Sequence, residues 1–200
     1  MSASTQRPSA ALILTHEVAD FGTWKLAFDG HEEARRAAGF LGHHINRHVD
    51  NPNLLSVYLA VSDVAKAKAF AASDDLRHTM SEAGIKGAPS AVWVKPVSEA
   101  IVWDRELPAM MISHQVAEFD TWLAGYAAAA VVRKQGGIIG AAANQLLEEP
   151  NTALVYHQAE SLDALKAFMA NPGLKAAMQK AGVTSAPEVT FVTGGWAKRY

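Results

Sequence analysis

Short apolar runs and helical stripes follow one another along this chain, and together they predict its elements. Residues 11–18, "ALILTHEV", are dense in aliphatics and read as a strand. Asp20 then stands where a helix would begin, its carboxylate near the positive helix end. Phe21, Trp24 and Phe28 recur at i, i+3 and i+7, one face of a helix, and Gly39 and Gly42 end it. "HHINRHV" reads as a second strand, "DNPN" at 50–53 as a turn, and "LLSVYLAV" as a third strand. Residues 63–83 read as a helix broken near Asp74. Gly84 opens a loop through Pro89, and "SAVWV" is the fourth strand.

The same plan is written twice. Shifted by 98 residues, positions 11–94 match positions 109–192 without a gap, and 26 of the 84 pairs are identical. "THEVADFGTW" becomes "SHQVAEFDTW", and Phe119, Trp122 and Tyr126 repeat the aromatic stripe behind Glu118. Each copy has the order β-α-β-β-α-β, the ferredoxin-like split βαβ unit. Such a unit covers one sheet face with helices and leaves the other bare. Both phases of these strands are apolar, so the bare face needs cover, and a second copy can supply it. The expected architecture is therefore α+β: two ferredoxin-like repeats packed sheet to sheet as a single-chain pseudo-dimeric barrel. The expected divisions are a flexible N-terminus (1–10), repeat 1 (11–97), a linker (98–108) and repeat 2 (109–200). Ile101, Val102 and Trp103 are too apolar to hang free, so the linker is expected to pack as an extended segment.

Composition narrows the function. A net charge of −2 gives no electrostatic reason to expect nucleic acid or an anionic membrane as partner. No run reaches the roughly 18 apolar residues of a membrane span, and "MSASTQRPSA" lacks the apolar core of a secretory signal. With no cysteine there is no disulfide, thiol nucleophile or thiolate-bound metal, and the cytoplasm is the expected compartment. No nucleophile triad, phosphate loop or metalloprotease helix is present, and "GGIIG" at 136–140 does not follow a strand.

Three stretches carry a resemblance: "HEVADFGTW" at 16–24, Gly42 with Pro52 and Asn53, and the tail "NPGLKAAMQKAGVTSAPEVTFV" at 171–192. They resemble the dimeric α+β barrel superfamily, near the antibiotic-biosynthesis-monooxygenase-like and "cyclase"-type small bacterial proteins. Members usually carry one copy per chain and build the barrel by homodimerisation, so this chain resembles a fused dimer. The superfamily it resembles includes cofactor-independent oxygenases, haem-degrading enzymes, isomerases and decyclising enzymes, and many proteins with no known activity, and fold alone does not choose among them. Haem-degrading members use an Asn on the first strand and a Trp and a His on the second helix. The corresponding positions here are Leu14/Ile112, Phe70/Phe168 and Met80/Met178, which disfavours haem oxygenation.

Within that frame the candidate catalytic residues are His16 and Asn46, and the candidate ligand-binding residues are His114, Asn144, Tyr58 and His157. His16 shares its strand phase with Leu12, Leu14 and Val18, which the resemblance turns toward the barrel interior. It is either a base or hydrogen-bond donor facing a ligand or a hydrogen-bonded core histidine. Asn46 and Asn144 either orient a ligand carbonyl or pair with backbone beside a turn. Trp24 and Trp122 are expected in the core, and Arg35 and Arg133 as cations at a helix end. His44 and His48 lie ~13 Å apart on one strand face, too far to chelate a metal unaided, and a solvated edge strand explains them. No metal and no cofactor is expected. Repeat 1 holds six histidines against two in repeat 2, so repeat 1 is expected to line the ligand and repeat 2 to serve as scaffold; drift on exposed helices would explain His31 and His78. The expected function is a cofactor-independent monooxygenase or cyclase-like enzyme acting on a small apolar or aromatic compound. The alternative is a non-catalytic binding or purely structural module. The expected partners are a small-molecule ligand and further copies of the chain.

Overall fold

The computed structural model describes residues 8–200; residues 1–7 of the expected N-terminal segment lie outside them. The described residues divide into two units, one made of residues 8–93 with 196–200, the other of 94–195. The protein is α+β and ferredoxin-like, and the elements come in one order twice. Unit 1 follows β1 (Ala10–Val18), α1 (Phe21–Gly30), α2 (Glu32–Ala37), β2 (Phe40–His48), β3 (Leu54–Val61), α3 (Val64–Ala71), α4 (Asp74–Glu82) and the start of β4 (Ile85–Ala100). Then come β5 (Leu107–Gln115), α5 (Phe119–Ala128), α6 (Ala130–Gln135), β6 (Ile138–Leu146), β7 (Thr152–Ala159), α7 (Leu162–Met169), α8 (Pro172–Lys180) and β8 (Glu188–Arg199).

Local chemistry sets the ends of these helices. Asp20 accepts from the Thr23 backbone N–H at 2.7 Å, and Glu118 from that of Thr121 at 2.6 Å. Ser73 caps α4, while Asn171 caps α8 ahead of Pro172, a residue pre-set for the first helical position. Gly39, Gly84, Gly137 and Gly182 take φ between +73° and +88° just beyond four helices. The single helix expected after Asp20 is two, because the chain turns at Gly30 and His31. The break near Asp74 lies between α3 and α4. β4 starts at Ile85, five residues before the expected strand; "IKGAP" lacks the apolar alternation that marks one.

In unit 1, β3 lies antiparallel between β1 and β2. In unit 2, β7 lies between β5 and β6 in the same way, with β8 on β5 and residues 94–100 of β4 on β6. Each unit has its own core. Leu12, Trp24, Ile45 and Val57 belong to one, and Met110, Trp122, Ala143 and Val155 to the other. Burying a Leu, Ile, Val or Met side chain in these cores contributes roughly 1.5–3 kcal/mol. The expected linker begins inside β4, which continues to Ala100. Beyond it, the buried Gln158 amide holds Val102 at two points, accepting from its N–H at 2.8 Å and donating to its carbonyl at 3.0 Å.

Candidate functional site: two aromatic cavities under the helices

Each unit holds a cavity between its sheet and its helices, of about 480 Å³ in unit 1 and 370 Å³ in unit 2. The floor of the first is Leu14 and His16 of β1 with Val57 and Leu59 of β3; Trp24, Phe28 and Phe70 form its roof. The second uses Ile112, His114, Val155 and His157 below, and Trp122, Tyr126 and Phe168 above. Both volumes suit a small organic molecule, and both linings are mostly apolar with a few polar groups.

The strand phase of His16 faces the helices of its own unit, which corrects the expected barrel-interior orientation. Its ring centroid lies 5.5 Å from that of Trp24, and the His114 ring 5.4 Å from that of Trp122. Both imidazoles are 6% exposed, and among the described residues neither ring nitrogen of either one meets a hydrogen-bond partner. A neutral imidazole carries one donor and one acceptor, and an unmatched polar atom away from water is costly. Burial pushes the His16 pKa down to about 4 and lowers that of His114. His16 therefore stays neutral at physiological pH, a state suited to hydrogen bonding and weak as a general base.

Asn46 does not join His16. Residues on β2 alternate: His43 packs edge-on against Phe28, Ile45 joins the core, and His44 and Asn46 fall in the other phase. The Asn46 amide donates to the Ser56 carbonyl at 3.5 Å, and that of Asn144 to the Leu154 carbonyl at 3.4 Å. Tyr58 lies between the cavity-lining Val57 and Leu59 and so takes the phase opposite to theirs. Asn46, Asn144 and Tyr58 thus stand outside the cavities that His16, His114 and His157 line. The expected solvated edge strand is also corrected. His43, His44 and Asn46 are buried, and Leu41 of β2 accepts a backbone hydrogen bond from Tyr200.

Unit 2 is no bare scaffold. His157 stands 3.1 Å from the Tyr126 hydroxyl, its other ring nitrogen is buried without a partner, and burial pushes its pKa down to about 3. Burial likewise pushes the Tyr126 phenol up to about 12, so both groups are neutral at pH 7. His31, expected on an exposed helix face, lines the unit 1 cavity, 3.0 Å from the Thr79 hydroxyl. His78 is exposed as expected.

The residue that sequence reasoning missed is Arg35. It is 4% exposed, its Nε donates to the Tyr200 hydroxyl at 2.7 Å and its Nη1 to the Phe28 carbonyl, and its guanidinium lies 3.7 Å from the centroid of the Phe28 ring. It is no plain helix-end cation. Arg133 repeats the carbonyl contact and the stacking on Tyr126, at a half-buried site. Among the described residues no three His, Asp or Glu side chains gather as a metal centre would need.

Solved structures share this arrangement of elements. An anthrone oxidase-like protein aligns with a TM-score of 0.71 at 12% identity, covering 98% of this chain and 95% of its own. A "putative monooxygenase" of Lactobacillus acidophilus NCFM aligns at 0.67 with 10% identity, covering 97% of each chain. A ferredoxin-fold protein of Listeria monocytogenes 4b F2365, related to antibiotic biosynthesis monooxygenases, aligns at 0.54 with 8% identity over 94% of this chain and 95% of its own. The fold is that of the antibiotic-biosynthesis-monooxygenase-like ferredoxin-fold proteins. A haem-degrading enzyme of Listeria monocytogenes shares it too, at a TM-score of 0.51, 7% identity and 90% and 97% coverage. Here Leu14, Phe70 and Met80 put only apolar groups and a thioether into the unit 1 cavity. The chain matches no family model, and no curated protein matches it in sequence.

Proposed function

We propose that this protein binds a small aromatic compound in the cavities beneath its helices and acts on it as a cofactor-independent, monooxygenase-like enzyme. One observation carries the reading. In both units an unpartnered, neutral imidazole, His16 or His114, packs at a tilt against a tryptophan in an aromatic cavity. Such a group can donate to a carbonyl or accept from a phenol while the rings hold the flat body. The name of the anthrone oxidase-like neighbour suggests a fitting probe. Anthrone has three fused rings and one carbonyl. Its oxygenation turns the methylene carbon into a carbonyl with one oxygen atom of O₂; the other leaves as water with both methylene hydrogens.

Binding is read by quenching of tryptophan fluorescence, and turnover by oxygen uptake above the spontaneous rate. Saturable quenching that weakens about tenfold in His16→Ala or His114→Ala, together with enzyme-dependent uptake, is the expected result. Quenching without uptake would instead favour the non-catalytic binding module, a reading that the poor basicity of His16 also supports. No quenching at all would sink both.

We also propose that the two repeats pack sheet to sheet within one chain. Burial of both phases of β2, Ile45 in one and His44 and Asn46 in the other, supports this. Small-angle scattering of a monomeric solution should then give a radius of gyration near 16 Å. Separated units would give a markedly larger value.

A further inference from the structure

Arg35 is a buried cation whose hydrogen bonding is incomplete. Its Nε and Nη1 are engaged by neutral oxygens, while Nη2 is buried without a partner. Among the described residues no carboxylate lies within 4 Å of it. The cavity it lines has no Asp or Glu in its wall, but it has a second cation, Lys68, whose ammonium lies 5.5 Å from the centroid of the Trp93 ring. Removing a guanidinium from water without an anion is unfavourable, and completing its bonds with one is favourable. The rest of the wall is aromatic, with Trp24, Phe28, Phe70 and Trp93. A single spare nitrogen matches one anionic group on a flat apolar body.

We propose that the unit 1 cavity takes an aromatic monocarboxylate, with its carboxylate received by Nη2 of Arg35 and its rings held among Trp24, Phe28 and Phe70. This rests on the reading of the cavities as ligand sites and adds a ligand class for one of them. Unit 2 differs at the same place. Arg133 is only half buried and open to water, while His157 and Tyr126 supply neutral polar groups where unit 1 has Leu59 and Phe28. The carboxylate preference therefore belongs to unit 1.

The test uses two probes of one size, 2-naphthoate and 2-naphthamide, titrated at neutral pH into the full chain by calorimetry, with histidine ring resonances followed by NMR. The acid should bind at least about tenfold tighter than the amide, and it should shift the His16 resonances before those of His114. Arg35→Gln should bring the ratio of acid to amide affinity to about one, and Arg133→Gln should preserve it. Equal binding of acid and amide, a preference that survives Arg35→Gln, or His114 shifting first would overturn the proposal while leaving the cavities as ligand sites. Binding of neither probe would overturn both readings. The wild-type ratio and the order of the shifts decide the matter even if Arg35→Gln does not fold.

Discussion

Nε2 of His157 lies 3.1 Å from the hydroxyl of Tyr126, and the corresponding positions in unit 1 are Leu59 and Phe28, which cannot hydrogen-bond. The imidazole thus stands on different strands in the two units. His43 of β2 is the registered partner of Leu59, and Ala141 of β6 that of His157, so one histidine sits on each cross-strand pair but on opposite members. Each finds a phenol: Tyr200 at 2.9 Å for His43, Tyr126 for His157.

Removing the Tyr126 hydroxyl leaves a buried ring nitrogen without its partner. Tyr126→Phe should cost about 1–2 kcal/mol. Adding His157→Leu recreates the unit 1 pair, so the double variant should be less destabilised than the sum of the single changes. Urea unfolding of the four proteins checks this, and simple additivity would count against it.

Acid should weaken the fold well before carboxylates protonate. Burial holds His16, His43 and His44 at about 4 and His157 at about 3, against an ordinary value near 6.5. Between pH 6.5 and 4 the unfolded chain binds these protons and the folded chain does not, so stability falls as pH drops through that window. At pH 5 unfolding should take up about four protons from these groups, read from the pH dependence of the urea midpoint. A flat profile from pH 7 to 5 would contradict it.

Gly42 and Gly140 stand at matching bulges because no side chain fits there. A Cβ on Gly42 would lie 2.5 Å from the Lys198 carbonyl oxygen, and one on Gly140 2.1 Å from the Gln158 amide oxygen. Gly42→Ala should cost about 1–3 kcal/mol, since the obstacle is backbone. Thermal unfolding with an unchanged Tm would refute the contact.

Gln158 holds the segment after β4. Gln158→Ala should release Val102 and speed limited proteolysis within residues 99–104 severalfold, at a cost of about 1–3 kcal/mol. Equal cleavage rates in parent and variant would show that Ile101 and Trp103 alone secure the segment.

The order of elements was legible because apolar periodicity and the 98-residue offset are local, additive signals. His16 stood out because the same imidazole recurs at His114 inside an aliphatic strand. Asn46 misled for a related reason. Alternation assigns residues to two faces but does not say which face the helices cover. Arg35 was out of reach altogether. Near a helix end it reads as any solvated cation, and Tyr200, which accepts its Nε–H, is 165 positions away.

The interleaved division of the chain bears on its synthesis. Unit 1 is begun by residue 8 but finished by Trp196–Tyr200, and β4 leaves it at Trp93 to end in the other unit. A nascent chain emerging from the ribosome makes residues 8–93 of unit 1 well before Trp196–Tyr200, which complete it. The Leu41 carbonyl that Tyr200 occupies waits until residue 200 is made, a period in which β2 is a strand edge that a chaperone or a second nascent chain can reach.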